Sequence, residues 1–497
     1  MNNSSIMSLE KRYWLLTRSE WKAGLGLSAL VGVPVALITV QMSPWISIIV
    51  ATTVLVAYHM AYAARYIVPL PHVVILVSAL QYVLAGWLGT YFPPLGTLQD
   101  TSLAFPFYVT YAGPVILAIT LVWFLCLPRR SQEPALPEIE SPLLFELDIL
   151  IVVGLAAAFA SRVVKDQGDF AFVIQLIASL RYVGVFGRMI SRATGVWWRL
   201  TIVIAAEVLF AVNEAMFHPL MLWGMWSLAV WLFAFQPARR AVFIALAIAC
   251  VLLPALQEAK WRLRGSLEEE ISEPNEDEMG TTVVRSIDWL QYLAAGFVDT
   301  VTLRLSPEFL ADTAARYNQG WIVTRVMFFV PSVEPYAMGE TLQEAVKAAA
   351  VPRFLAPDKL KAGGHELMAR YAGMELNEST SMNLGYAGEM YANFGLVGGV
   401  LGCACYALLA ALAFRKMAKY AVTHPMWWSV IPFVFFPIVK AEDDIAFVLN
   451  WAIKGAVVLG AVVVLLPNLR RSLFASRFTA GPVVGGSDLP GFGSQSR

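Results

Sequence analysis

The sequence predicts an all-α, polytopic membrane protein of about twelve transmembrane helices with a large, mostly helical extracytoplasmic loop. Of its 497 residues, 58% are hydrophobic and only 14% are charged, a composition typical of a chain that lies mostly within lipid. The apolar residues form runs of about 17–25, the length an α-helix needs to cross a bilayer. Basic side chains cluster at alternate ends of these runs, which indicates a regular path back and forth across the membrane.

Twelve apolar runs have the length and composition of spans. They cover residues 23–40, 45–63, 67–90, 106–127, 144–162, 170–190, 197–216, 219–235, 241–257, 384–413, 426–440 and 445–466. The tail is rich in glycine and serine, so we expect it to be disordered. The chain thus divides into four predicted regions. Residues 1–257 contain spans one to nine, residues 258–382 form the loop, residues 383–466 contain spans ten to twelve, and residues 467–497 form a cytoplasmic tail.

The positions of lysine and arginine orient the spans. Nearly all basic residues of the short connections fall on one side if the N-terminus is cytoplasmic: Lys11, Arg12, Arg18, Lys22, Arg65, Arg129, Arg130, Arg188, Arg192, Arg199, Arg239, Arg240, Arg415, Lys416, Lys419, Arg470 and Arg471. The opposite connections are poor in positive charge, with Arg162 and Lys165 as the main exception. Because positive residues stay inside, both termini are predicted to be cytoplasmic and the long loop to lie outside.

The long loop is far longer than an ordinary connection, which favours a folded subdomain. After an acidic block, residues 283–305 have the apolar spacing of an amphipathic helix. Ser306 followed by Pro307 predicts an N-cap and a helix to about Val330. Thr341 with Glu344 fits a capping box, and the helix it begins must end before Pro352.

The loop also carries positive charge. Because basic residues orient a membrane protein by staying on the cytoplasmic side, topology does not account for them in an outer loop. Its basic residues are Arg304, Arg316, Arg325, Arg353, Lys359, Lys361 and Arg370. Phosphate oxygens of a lipid carrier would be suitable partners, whereas pairing with nearby Glu334, Glu340, Glu344 and Glu366 is the alternative for about half of them. Arg316, Arg325 and Arg353 are the favoured three. Arg325 stands in an otherwise apolar run, where an unpaired charge is costly.

Two prolines, Pro352 and Pro357, exclude regular helix between them and present Arg353, Asp358 and Lys359 from a rigid turn. Preorganised charge of this kind suits a diphosphate leaving group. Pairing of Asp358 with either basic neighbour is the alternative. His365 follows after a flexible glycine pair and is a candidate general base or phosphate ligand; an exposed histidine without a function is the alternative.

The start of the tenth span places Glu389 and Asn393 on one helical face, with Tyr386 one turn earlier. A carboxylate, an amide and a phenol are thereby expected together at the outer membrane boundary, which indicates a site. Gly395 with Gly399, and Gly398 with Gly402, have the spacing that lets another helix approach closely.

Deeper in the spans lie Arg181, Glu207 and Lys454. Mutual pairing would make these charges structural, but a transporter would also need such residues. No Walker A loop, HExxH or GxSxG motif is present, so neither a metal nor another cofactor is expected. The net charge is zero, and nothing indicates a nucleic-acid partner.

Three stretches resemble one known family. These are VTRVMFFVPSVEPYAMGET, PRFLAPDK and STSMNLGYAGEMYANFGLVGG, and the similarity extends over about residues 316–402. They resemble bacterial repeat-unit polymerases of the O-antigen/exopolysaccharide type, which are similar in topology to O-antigen ligases. Ala356 and Leu360 replace a tryptophan and a proline of the family pattern.

The resemblance implies an enzyme of the bacterial cytoplasmic (inner) membrane that joins undecaprenyl-diphosphate-linked oligosaccharides at the outer face. Its implied partners are this lipid-linked substrate, membrane lipids, and the flippase and chain-length regulator of the same pathway. An acceptor hydroxyl would attack the anomeric carbon, with Glu389 or His365 as base. The site residues are assigned as catalytic Glu389, His365 and Arg353, diphosphate-binding Arg316, Arg325 and Lys359, and supporting Asn393, Tyr386 and Asp358. The alternatives are a ligase that transfers a finished glycan and a polysaccharide flippase or transporter.

Overall fold

A computed structural model describes residues 15–127, 141–163, 169–271, 278–351 and 364–474, apart from positions 95, 98, 215, 303, 305, 378 and 379. Within these ranges the protein is all-α, with eighteen helices. Eleven of the helices are long and apolar enough to cross a membrane. The protein is therefore a multi-pass helical membrane protein, as the sequence predicts.

The first nine long helices follow one another along the chain. They are α1 (Arg18–Thr39), α2 (Pro44–Ala63), α3 (Leu70–Tyr91), α4 (Phe105–Cys126), α5 (Ser141–Val163), α6 (Asp169–Ile190), α7 (Val196–Glu214), α8 (His218–Phe235) and α9 (Arg239–Ile271). The last two, α15 (Gly385–Thr423) and α17 (Ile445–Leu465), follow the long loop. Spans one to ten and span twelve are confirmed as apolar helices of sufficient length, although α9 continues well beyond the predicted end of the ninth span.

The prediction of a continuous transmembrane helix over residues 426–440, the eleventh span, is wrong. Helix α16 (Trp427–Val434) is short and is followed by a 3₁₀ turn, Pro437–Val439. Proline lacks the N–H that a helix requires, and Pro432 and Pro437 interrupt this run. Trp427 Nε1 donates to the carbonyl of Leu473 beyond the C-terminal end of α17 (2.8 Å), whereas Ile445 begins α17, which at 21 residues is about 30 Å long.

The segment from Trp427 to Ile445 therefore runs from one end of the bundle to the other as a broken crossing. Residues Trp428 to Phe433 are all buried. Because irregular backbone at membrane depth is tolerated where protein surrounds it, this burial explains how the chain crosses without a continuous helix.

Helix α15 bends at Gly395, whose φ of 69° lies in the left-handed region. A Cβ at Gly395 would lie 2.9 Å from Tyr336 Oη of the long loop, and one at Gly399 would lie 2.7 Å from Tyr111 Oη of α4. The predicted close approach of another transmembrane helix is thus confirmed at Gly399. At Gly395 the close neighbour is Tyr336 of the long loop and not a transmembrane helix.

The long loop contains five helices among its described residues: α10 (Glu278–Val301), α11 (Pro307–Tyr317), α12 (Gly320–Phe329), α13 (Glu340–Ala350) and α14 (His365–Ala372). Ser306 caps α11 by accepting from the Phe309 amide (3.1 Å), which confirms the predicted start. The helix does not continue to Val330, because the Gln319 amide donates to the carbonyl of Gln81 (2.8 Å) and the chain turns there.

The capping box predicted for Thr341 and Glu344 is wrong. Helix α13 begins at Glu340 after Gly339, which has a φ of 96°, and the Thr341 hydroxyl donates to Glu389 instead (2.9 Å). A buried tertiary partner has replaced the local one. The predicted end before Pro352 is confirmed, since α13 ends at Ala350.

Two charges deep in the bundle form a pair. Arg181 of α6 donates to Glu207 of α7, and both are about 4% exposed. Mutual pairing is therefore confirmed for these two residues. The ammonium of Lys454 lies 5.1 Å from the centroid of the Phe172 ring.

The first part of the predicted tail is ordered as α18 (Pro467–Phe474). Glu146 of α5 accepts from the amides of Asn468 (3.0 Å) and Leu469 (2.7 Å). These bonds satisfy amides that a helix N-terminus leaves without an intrahelical partner. Residues after Phe474 lie outside the described residues.

Candidate functional site

A cavity of about 410 Å³ lies where the long loop meets the bundle. Helix α12 contributes its aromatic and cationic walls, and the segment that enters α4 contributes polar groups. The residues that form these walls are Trp321, Phe328, Phe329, Thr324 and Arg325 of α12, and Asp100 and Thr101 before α4. This combination of an arginine, hydroxyls and aromatic rings suits a ligand that is anionic in one part and apolar or saccharide-like in another.

Arg325 is the cation of this cavity. It is half-buried, and its Nε donates to the carbonyl of Ala372 (2.7 Å) while Nη2 lies 3.5 Å from the carbonyl of Gly373. Among the residues that the structure describes, no carboxylate forms an ion pair with this guanidinium. Asp100, across the cavity, accepts instead from the Ser102 hydroxyl (2.7 Å).

Arg370 of α14 shows the opposite arrangement. Its guanidinium donates to Glu334 (2.6 Å) and binds both oxygens of Glu340 (3.0 Å each). The hydrogen bonds from Arg370 lower the pKa of Glu340. Pairing with loop glutamates, which was the alternative to phosphate binding, is thus confirmed for Arg370.

Glu389 and Asn393 form one buried cluster with Thr341. Glu389 Oε1 accepts from the Thr341 hydroxyl (2.9 Å), which accepts in turn from Asn393 Nδ2 (2.7 Å). Glu389 Oε2 accepts from the Ile445 amide at the start of α17 (3.0 Å). Glu389, Thr341 and Asn393 are each at most 1% exposed. The cluster therefore fastens α13 of the loop to both α15 and α17.

Tyr386 does not join this cluster. Its hydroxyl donates to Ser78 of α3 (2.9 Å), and its ring stacks on Tyr406 with a centroid distance of 5.3 Å. The structure thus brings Glu389 and Asn393 together, as predicted, whereas the phenol of Tyr386 contacts the neighbouring helix α3.

A second charged cluster surrounds Glu442, between the broken crossing and α17. Glu442 accepts from Gln319 Nε2 (2.9 Å), forms an ion pair with Lys440 (3.7 Å) and lies 3.4 Å from His218 Nε2. The exposed Arg316 interacts electrostatically with Glu442. Of the two predicted diphosphate-binding arginines, Arg316 therefore lies near this cluster and Arg325 lies at the cavity.

Asp443 adjoins the same cluster. Its carboxylate accepts from Lys440 (2.8 Å). Asp443 is buried, with only 3% of the residue exposed. The sequence analysis did not identify His218 and Lys440 as members of this group. The available signal was that Lys440 precedes Glu442 by two residues and Asp443 by three, in a short connection between apolar segments.

His365 is half-buried at the first position of α14. It lies seven residues, or about 10 Å along the helix, from the Ala372 carbonyl that Arg325 binds. His365 and the carbonyl that Arg325 binds are thus at opposite ends of α14. Arg353, Asp358 and Lys359 lie in 352–363, outside the described residues.

Within the described residues, no group of three or more His, Cys, Asp or Glu side chains could hold a metal ion. No family model matches the chain, and comparisons with curated proteins and with solved structures found no match.

Proposed function

We propose that the protein is an integral-membrane glycosyltransferase that polymerises undecaprenyl-diphosphate-linked oligosaccharide repeat units at the outer face of the bacterial inner membrane. The observation that carries this proposal is Arg325, a half-buried arginine in a cavity of about 410 Å³ without a carboxylate partner among the described residues. A partly desolvated charge favours a counter-ion, and the planar guanidinium binds phosphate oxygens in pairs.

Apolar surface beside the cavity supports a lipid-linked substrate. Leu103 is 98% exposed, and the exposed rings of Phe107 and Phe328 lie 5.9 Å apart. Exposed apolar groups next to a cationic cavity suit an amphiphile whose charged head enters the cavity while its chain remains in lipid.

In the proposed reaction, an acceptor hydroxyl attacks the anomeric carbon of the donor. The new glycosidic C–O bond forms, the bond from that carbon to the diphosphate oxygen breaks, and the hydroxyl proton passes to a base. Arg325, with Arg316, Arg353 and Lys359, would stabilise the negative charge on the departing lipid diphosphate. Of the two candidate bases, His365 is half-exposed and is preferred.

Glu389 is assigned a positioning role in this proposal. Both of its carboxylate oxygens are occupied by hydrogen bonds, and only 1% of the residue is exposed. Its contacts hold α13, and Asn393 completes the same cluster. The segment that contains Arg353 and Lys359 follows α13 directly in sequence, so a fixed α13 would help to keep these cations near the donor.

Two arginine substitutions in the long loop test the proposal. Arg325→Ala is expected to abolish long glycan chains in the host cell while single repeats are still made. Arg370→Ala, a matched loss of an arginine that is paired with two carboxylates, is expected to leave chain length unchanged. Both variants are compared at equal amounts in the membrane. Normal long chains in the Arg325→Ala strain would contradict the proposal.

Glycan profiling of a deletion strain separates the polymerase from its alternatives, because a ligase would use the same lipid diphosphate donor. Loss of long chains with single repeats retained supports a polymerase. Long lipid-linked chains without final attachment would indicate a ligase, and unextended units on the cytoplasmic side would indicate a flippase.

A further inference from the structure

Helix α10 carries an apolar stripe that no other described part of the protein covers. Its members are 40–56% exposed and, apart from the adjacent Phe297 and Val298, recur three, four or seven residues apart: Ile287, Leu290, Phe297, Val298 and Val301. This spacing places them on one helical face. The opposite face, with Trp289 and Gly296, is packed against α7 and α9.

The direction of α10 follows from the geometry of its connection. Residues 272–277 can extend over only about 25 Å, whereas α9 with 33 residues is about 50 Å long. Helix α10 must therefore begin near the C-terminal end of α9. A Cβ at Gly296 would lie 3.2 Å from the carbonyl oxygen of Ala255. Gly296 lies 18 residues after the start of α10 and Ala255 lies 16 residues before the end of α9, so the two helices are antiparallel.

The antiparallel pairing fixes the depth of the stripe. Ala255 belongs to the part of α9 that is long and apolar enough to span a membrane, Arg239–Lys260. Residues of α10 beyond Gly296 lie still deeper along this span, and Val301 is about 7 Å past Gly296. Packing against α7 agrees, because Trp289 shares a hydrophobic cluster with Val212, two residues before the end of α7 at Glu214.

We propose that α10 is a half-inserted helix, and that the acyl chains of the leaflet nearest α11–α14 cover the deep half of its apolar stripe, which consists of Phe297, Val298 and Val301. The stripe is continuous with the lipid-facing surface of α9, where Ile244 is 57% and Ile248 is 47% exposed. The acid nearest this end, Asp299, lies off the stripe and faces Arg262 of α9 (3.7 Å). A bilayer therefore fits the deep half of the stripe, and the inference does not depend on the proposed function.

Single nitroxide labels test this inference in the full-length protein reconstituted into lipid nanodiscs. The native cysteines, including the exposed Cys405, are first replaced by alanine. Labels are placed at Ile287, Phe297 and Val301, at Val457 as an acyl-chain control (70% exposed in α17), and at the exposed Glu366 of α14 as an aqueous control. Collision rates with oxygen, which concentrates in acyl chains, and with a water-soluble nickel chelate are compared.

Oxygen is expected to dominate at Phe297 and Val301, as at Val457, and the chelate is expected to dominate at Glu366. The ratio should rise from Ile287 to Val301, because Val301 lies about 21 Å further along the helix axis. Dominance of the chelate at Val301 would place the stripe in water and overturn the inference. Low rates with both reagents would mean that protein, such as a second copy of the chain, covers the stripe, and would overturn it equally.

A measurement on the unlabelled protein keeps the inference testable if a labelled variant misfolds. Amide hydrogen exchange in nanodiscs is expected to be slower over residues 297–301 than over 287–291, since water reaches the deep half only through the bilayer. Equal or faster exchange at the deep end would contradict half-insertion.

Discussion

The hydroxyl of Thr341 is the link through which the long loop is fastened to the bundle. It donates to Glu389 and accepts from Asn393, and all three residues are buried. Thr341→Val keeps the shape of the side chain but leaves Glu389 Oε1 and one N–H of Asn393 without a partner. Each buried, unsatisfied group costs about 1–3 kcal/mol, so the docking of α13 should weaken by about 2–6 kcal/mol.

Hydrogen–deuterium exchange over residues 340–350 measures this loss. Because about 1.4 kcal/mol corresponds to a factor of ten, exchange of the α13 amides should accelerate at least about 30-fold. Thr313→Val is the matched control: Thr313 is also buried in the loop, and its hydroxyl has no hydrogen-bond partner among the described residues. Unchanged α13 exchange in Thr341→Val would refute the role of this cluster.

Three further substitutions probe the bundle. Gly395→Ala should destabilise the protein by about 1–3 kcal/mol, because a φ of 69° with a ψ of −160° is a backbone conformation almost restricted to glycine, and more through the contact 2.9 Å from Tyr336 Oη; thermal unfolding in detergent measures this. Glu207→Gln leaves the buried charge of Arg181 without a carboxylate, so we expect a loss of about 3–5 kcal/mol by the same measurement. Asp443→Asn removes the buried carboxylate that pairs with Lys440 (2.8 Å) and leaves Glu442 (3.7 Å) as the remaining acidic partner of this ammonium, so we expect a loss of about 1–3 kcal/mol in the same measurement.

Controls for these variants come from the same chain. Gly460→Ala, in α17 with nothing within 4 Å of the added Cβ, should be neutral or stabilising by up to about 1 kcal/mol. Arg239→Ala breaks an ion pair with Glu20 whose arginine side chain is 43% exposed, and should cost at most about 1 kcal/mol. Equal losses in test and control variants would contradict the assigned roles.

The long transmembrane helices were predictable because length and hydropathy are local properties of the chain. The N-cap at Ser306 was predictable for the same reason. The broken crossing was not, because hydropathy measures apolar content and not the missing N–H groups of Pro432 and Pro437. A run whose hydropathy predicts one span can thus contain a short helix followed by a 3₁₀ turn.

The candidate site depends on contacts between distant residues, which local patterns do not contain. Thr341 satisfies the local rule for a capping box, but the buried Glu389 needs a donor, and this tertiary bond prevails. The cluster at Glu442 likewise joins His218 and Gln319 from other parts of the chain. The sequence did show that the loop is cationic. Both Arg325, which lies at the cavity, and Arg370, which is paired with glutamates, belong to the basic residues identified on that basis.

The most direct test of the proposed function is the binding of undecaprenyl diphosphate to the purified protein in nanodiscs. A hydrogen bond to a charged group contributes about 1.5–3 kcal/mol, so Arg325→Ala should raise the Kd about 10-fold or more. Arg370→Ala, whose arginine is already paired with two glutamates, should bind as the wild type does. Equal affinity of Arg325→Ala and wild-type protein would contradict the assignment of this cavity to the lipid diphosphate.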